Sequence, residues 1–354
     1  MNLPRDLAPR LLTSAFVLRA PLAALLLSIG EIALAQAPAM VEDQRMLPYA
    51  EPGQRIDIGG RHINLHCAGT GTPAVILLAG IFSWSVVWYK TQPVIAQETR
   101  VCAFDRASYG FSDPAPRPQI LSEVVDDLHA ALKAGAIPGP YVLVGHSLGG
   151  IEVRLYAQRW PKEVVGMVLV DSSPAGEMLL EMNLPGFDEA EGQESYASDM
   201  LHCALLAAHS PLEPSRPEYK DCSSVDALPS DTPAAFRKIW PQFFTADYFA
   251  DKVSLMSSLY THRYDSVDHL HLGAMPLVVL TAKNTWGDTA AGIQFTQTFL
   301  RFWLAQHEAL AHLSSRGIHR FIKGSGHHIQ LDKPQAVIDA VDVVLSQLRA
   351  GAKS

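Results

Sequence analysis

Between the apolar run Tyr141-Val142-Leu143-Val144 and the helix-like stretch LGGIEVRLYAQRW (148–160) stands Gly145-His146-Ser147-Leu148-Gly149, the feature that most constrains the fold. A Gly-x-Ser-x-Gly turn from strand to helix lifts one hydroxyl clear of a sheet edge. Side chains at its two glycines would collide with the neighbouring strand and helix. Ser147 is therefore the first candidate for chemistry.

The rest of the chain supplies the sheet that such a turn needs. From Gln54 onward, short β-branched or aliphatic runs alternate with helical periodicity, the pattern of strands and crossover helices in a largely parallel sheet. Eight runs read as strands: QRIDI, RHINLHC, AVILLA, RVCAF, YVLVG, VVGMVLV, PLVVLT and IHRFI. Leu121, Val124, Val125, Leu128 and Leu132 repeat at helical spacing, as do Val337, Val341, Val344, Leu345 and Leu348, so both helices are expected to cover sheet faces. Residues 175–273 break this rhythm with prolines, polar turns and aromatics, and read as a helical lid inserted between the sixth and seventh strands. The core is then 36–174 and 274–354. The aromatic density of the insert is wrong for a disordered linker.

At the amino end, Arg5, Arg10 and Arg19 face only Asp6, and the apolar stretch PLAALLLSIGEIALA follows, closing on Ala33-Leu34-Ala35. That order describes a secretory signal, residues 1–35, cut after Ala35. Gly30 and Glu31 interrupt the apolar stretch, which falls short of the ~20 residues of a membrane span. The leader carries three basic and two acidic groups, so its loss shifts the net charge of -8 to -9. With few basic runs, nucleic acid is not an expected partner. Export to the periplasm or medium also permits disulfides, and the four cysteines are expected to pair as Cys67 with Cys102 and Cys203 with Cys222.

A serine hydroxyl is a weak nucleophile at its own pKa and needs a base, itself oriented by a third group. His327 follows the last expected strand, after the Gly324-Ser325-Gly326 lead-in, which reads as a turn that swings its side chain back over the sheet edge. His328 beside it is the competing candidate. Four motifs, LLAGIF (77–82), DRASYGFSDP (105–114), GHSLGG (145–150) and GSGHHIQLDKP (324–334), occur in an order and spacing that resemble the α/β-hydrolase fold. The likeness spans residues 54–350. It implies an eight-stranded, mostly parallel sheet flanked by helices, with Ser147 as nucleophile and His327 as its histidine. It also implies that the backbone N–H groups of Leu148 and Ile81 serve as oxyanion donors. Ala79-Gly80 stands where members of the fold often have His-Gly, and Ser108 replaces a frequent glycine, a change read as structural.

Two aspartates compete as the third group. The usual site follows the seventh strand, where TAKNTWGD offers a carboxylate only at Asp288, whereas VVGMVLVDSSP ends the sixth strand with Asp171. Asp171 is preferred and Asp288 is the alternative; Asp171 could also simply cap a turn. The cluster His262, Asp265, Asp268, His269 and His271 fits no zinc or calcium spacing, so no metal is expected. Phe82, Met178, Met182, Trp240, Phe243, Phe244 and Tyr248 are candidates for an apolar substrate pocket or, equally, for the lid's own core.

The expectation is an exported serine hydrolase acting on small-molecule carboxylic esters without a cofactor. The alternatives on the same scaffold are an aminopeptidase, a carbon-carbon hydrolase or a cofactor-free perhydrolase. A serine at the elbow argues against the aspartate-based chemistry of dehalogenases and epoxide hydrolases. A non-catalytic binding protein is the alternative of another class, although such a protein is expected to lose the serine, the histidine or the elbow glycines.

Overall fold

In the computed structural model, residues 41–354 are described apart from 117, 176–188, 224, 226, 227, 262, 263, 285–292 and 352–354. The expected leader lies outside them. The eight strand-like runs form eight strands: β1 Gln54–Asp57, β2 His62–Ala68, β3 Ala74–Leu78, β4 Val101–Phe104, β5 Tyr141–His146, β6 Val164–Val170, β7 Leu277–Asn284 and β8 Gly317–Gly326. They make one sheet in the order β1-β2-β4-β3-β5-β6-β7-β8. Pairing is antiparallel for β1 with β2 and β2 with β4, and parallel elsewhere.

Residues of the central strands alternate between two apolar layers, because successive side chains of a strand point to opposite faces. Ile76, Leu78, Leu143, Met167, Leu169 and Val279 face a core shared with the helices Leu121–Ala134 and Leu148–Arg159. Val75, Leu77, Val142, Val144, Val168, Val170 and Leu280 face a second core with the helix Pro334–Gly351. Burying each such side chain contributes about 1.5–3 kcal/mol, so a one-residue slip of any central strand is strongly resisted.

Between β6 and β7 the described residues form the helices Glu189–His209, Tyr219–Ser223, Ala234–Ile239 and Ala246–Thr261. The aromatic residues Phe236, Trp240, Phe243, Phe244, Tyr248 and Phe249 of this insert belong to the same core as the first face of the sheet. Trp84 and Tyr109 from the sheet side meet them ring to ring. Cys67 pairs with Cys102, across directly opposed positions of β2 and β4, and Cys203 pairs with Cys222 inside the insert.

One local expectation is corrected. Gly324-Ser325-Gly326 is not a turn: β8 runs through it, with Gly326 opposite Asn284 after a register shift. Gly324 sits at φ +69°, so the strand absorbs its irregularity at a residue without a Cβ and delivers His327 directly at its end.

Candidate active site

The elbow closes where β5 gives way to the helix Leu148–Arg159. Ser147 takes φ 52°, ψ -123°, a strained conformation for a residue with a side chain, costing on the order of 1–3 kcal/mol. The surroundings hold it there: its N–H donates to Val170 O at 3.1 Å, and its carbonyl accepts from Gly150 at 2.8 Å and Ser173 at 3.1 Å. A Cβ on Gly149 would stand 2.5 Å from Leu78 O, and one on Gly145 would strike the Gly149 carbonyl, so the helix reaches this depth only with glycine at both.

Asp171 ends β6, and its buried carboxylate meets His327 from the end of β8, Oδ2 to Nδ1 at 2.8 Å. Oδ1 accepts from the Ala282 N–H and from Trp303 Nε1, both at 2.9 Å. Burial pushes this carboxyl up, but hydrogen bonding and charge from His327, with help from His307 and Trp303, outweigh it and hold Asp171 below the usual aspartate range. A carboxylate only accepts, so His327 carries its proton on Nδ1 and Nε2 is left as the acceptor. Asp171 is thus the acid brought to the histidine, and His327 rather than His328 is the ring that meets it. Asp288 lies outside the described residues.

Several supporting residues have roles that no motif reveals. His146, the variable position of the elbow, donates from Nε2 to the His327 carbonyl at 3.0 Å and fixes that residue's backbone. Its burial drives its pKa well down, so it stays a neutral ring. Trp303 and His307 are one turn apart on the helix Ile293–Ala311, and their rings are 4.8 Å apart. His307, wholly buried, has its pKa lowered to about 4 by desolvation. Neutral His307 donates from Nε2 to Ser172 O at 2.7 Å and accepts at Nδ1 from the Thr281 hydroxyl at 2.5 Å. Thr281 in turn accepts from His319 Nε2 at 2.7 Å. The helical spacing of Trp303 and His307 was the one available signal, and it reads equally well as core packing.

The oxyanion candidates flank the elbow. Leu148 opens its helix, where a backbone N–H has no intrahelical carbonyl to meet and the helix dipole favours negative charge. Gly80, just before Ile81, packs so closely that a Cβ there would lie 3.3 Å from Ser147 Cβ. Ser147, His327, His328, Gly80, Ile81 and Phe82 share a cavity of about 730 Å³ with Phe236, Trp240 and Leu228 of the insert. Phe244 does not line it. Packed on Trp84, Trp240, Tyr248 and Phe249, it belongs to the aromatic core, because its own ring is what fills that layer. Phe243 and Tyr248 share that fate, whereas Trp240 does both, stacking on Trp84 while facing the cavity. Met178 and Met182 lie outside the described residues.

In the remaining motif, DRASYGFSDP, Asp105 and Ser108 shape the backbone. Buried Asp105 accepts from Ser85 N at 2.8 Å, Asn64 Nδ2 at 2.7 Å and Phe111 N at 3.2 Å. Ser108 occupies φ 64°, which explains why a glycine is at home at this position. Asp268, from the weighed metal cluster, instead accepts from Arg154 at 2.9 Å and from Ala175 N at 2.7 Å, while His269 and His271 stand exposed. His262 and the Asp265 side chain lie outside the described residues.

Comparison with known proteins accords with this geometry. A family model described as the alpha/beta hydrolase fold matches residues 73–334. An uncharacterized protein of Schizosaccharomyces pombe is 41% identical over 81 residues, 23% of this chain and 15% of that protein. A 2-hydroxy-6-oxo-2,4-heptadienoate hydrolase of Pseudomonas putida is 30% identical over 158 residues, 43% of this chain and 54% of that enzyme. The chain thus spans about a seventh and about half of the length of these two relatives. Among solved structures, a thermophilic esterase from Thermogutta terrifontis aligns with TM-score 0.56 and 19% identity over 84% of this chain and 98% of that one, a likeness of fold.

Proposed function

Because this chain belongs to the alpha/beta hydrolase fold family, we propose that it is an exported serine hydrolase that cleaves carboxylic esters through an acyl-enzyme on Ser147. The observation that carries this reading is the 2.8 Å contact of His327 Nδ1 with the buried Asp171 carboxylate, beside a cavity that Ser147 also lines. His327 Nε2 takes the hydroxyl proton as Ser147 Oγ attacks the ester carbonyl carbon. The negative charge that develops on the carbonyl oxygen is met by the N–H groups of Leu148 and Ile81. Asp171 stabilises the imidazolium, which then protonates the departing alcohol as the C–O bond breaks. Water, deprotonated by the same histidine, attacks the acyl carbon and releases the carboxylic acid and Ser147.

The insert roofs the cavity in this reading, with Trp240 and Phe236 receiving an apolar acyl or alcohol group. The leader-like amino end and two disulfides support export, since disulfides persist in oxidising compartments. Among the described residues no helix is long and apolar enough to cross a membrane.

A fluorophosphonate probe tests the chemistry. Wild type should label on the peptide bearing Ser147, Ser147→Ala should not, and p-nitrophenyl esters should turn over only with the former. Equal labelling of both proteins removes Ser147 from its role. Labelling of neither, with no ester turnover, favours the binding-protein reading. Carbon-carbon hydrolysis is the second reading, favoured by the Pseudomonas putida likeness. Faster turnover of a dienoate than of any ester in the panel would establish it. Export is tested by sequencing the amino end of the protein recovered outside the cytoplasm, which should begin at Gln36.

A further inference from the structure

Arg106 follows β4 and is 2% exposed, yet every one of its five N–H groups has a partner. Nε and Nη2 form a two-pronged pair with Glu152, at 2.7 and 2.8 Å, on the elbow helix one turn after Leu148. The other donors go to three successive features of one loop: Nη2 to Ala79 O at 2.6 Å, Nη1 to Gly80 O at 3.0 Å and to Ser83 O at 3.3 Å. A guanidinium stays charged at any working pH, and the Glu152 carboxylate beside it offsets its burial.

The Gly80 carbonyl and the Ile81 N–H belong to one planar peptide unit, and that unit is trans. Its two dipole ends therefore point in opposite directions. We propose that Arg106 is a positioning residue for the oxyanion pocket. By gripping the Gly80 carbonyl from the buried side, it turns the Ile81 N–H toward the cavity beside Ser147 and polarises it as a donor. Through Glu152 it holds that donor in register with the Leu148 N–H. A cation on the carbonyl oxygen draws electron density from its own peptide, so the hydrogen-bond chain strengthens the far end. This rests on the acyl-transfer reading above, since an N–H aimed at a developing oxyanion matters only if one forms.

The test uses Arg106→Lys and Arg106→Gln in the full chain, with active sites titrated by the fluorophosphonate. kcat and KM are measured on a short p-nitrophenyl ester, together with the affinity of a trifluoromethyl ketone carrying the same acyl chain. The ketone adds Ser147 and places an oxyanion where the ester's would be. Misaiming one donor should lower kcat per titrated site by about 30-fold in Arg106→Gln, less than the 10²–10³ for deleting such a donor. KM should stay within about threefold, and ketone affinity should fall in parallel with kcat/KM. Arg106→Lys, which can still reach one carbonyl, should recover part of both. A merely structural pair would lower the yield of titratable sites while leaving kcat per site and ketone affinity unchanged, and that result overturns the proposal. If neither Arg106 variant gives folded protein by circular dichroism, Glu152→Gln decides it by the same parallel loss, expected to be smaller. Absence of labelling in wild type would instead remove the acyl-transfer reading, and this proposal with it.

Discussion

The floor and the roof of the cavity are built from different interactions. On the floor, Ser147, Asp171 and His327 emerge from the ends of β5, β6 and β8, each tied to backbone atoms of a neighbouring strand or to another polar group. On the roof, Trp240 faces the cavity and Phe243, Phe244 and Tyr248 pack behind it, with ring centroids 5.0–6.5 Å apart from each other or from Trp84. Hydrogen bonds fix an atom's position and direction, whereas apolar packing fixes volume and tolerates exchange of shapes. A floor change should therefore strike turnover, and a roof change should strike stability or substrate preference.

The largest expected effect tests the floor. Asp171→Asn should lower kcat by about 10³–10⁴ while the protein still unfolds cooperatively, because an amide can no longer hold the histidine's Nδ1 proton as a carboxylate does. Steady-state kinetics beside a urea melt check this; an undiminished kcat would erase the distinction. In the roof, Phe244→Ala should destabilise by about 3–5 kcal/mol by leaving a cavity. The folded fraction should keep kcat/KM within about threefold, and a collapse of kcat per titrated site would mean that the roof core acts directly on chemistry.

The floor should also show its buried ring in the pH dependence of stability. His307 is held near pKa 4 in the folded protein but titrates near 6.5 when unfolded, so the unfolded chain binds the extra proton first. Stability should then fall with acidification between roughly pH 6.5 and 4, by about 1.4 kcal/mol per pH unit from this group. Urea midpoints for wild type and His307→Asn at pH 7 and pH 5 measure it. Equal pH sensitivity in both proteins would rule His307 out. The smallest effect is again in the roof: Trp240→Leu should raise KM for bulky acyl esters about tenfold over short ones, a loss of about 1.4 kcal/mol. An unchanged chain-length profile would place Trp240 with Phe244 in the core alone.

The same contrast governs what could be read in advance. Eight strands and the elbow stand out because strand alternation and glycine-limited close approach admit few residue types, and the cysteine pairs because an even count in an exported chain invites pairing. Ser147 is nameable from the elbow, and His327 from its place after the last strand-like run. Spacing favours Asp171 over Asp288 but leaves both open, since a carboxylate after either strand can reach a histidine; the 2.8 Å contact at Asp171 needed folded geometry. Trp303, His307 and His146 support the site through contacts across 132, 135 and 181 positions of chain; the first two bear no motif, and His146 fills a position that the elbow motif leaves variable. Roof aromatics were equally opaque: Trp240 and Phe244 are four residues apart, yet only Trp240 reaches the cavity.

By itself the sequence determined the sheet, its two apolar faces and the strained serine turn, because backbone sterics and side-chain periodicity act locally and leave a trace in residue order. Tertiary structure alone decided which carboxylate meets His327, which carbonyls Arg106 grips and which ring faces the cavity. Those outcomes depend on distances between strand ends remote along the chain, and a carboxylate, a guanidinium or an indole looks the same in a sequence whether or not its partner arrives.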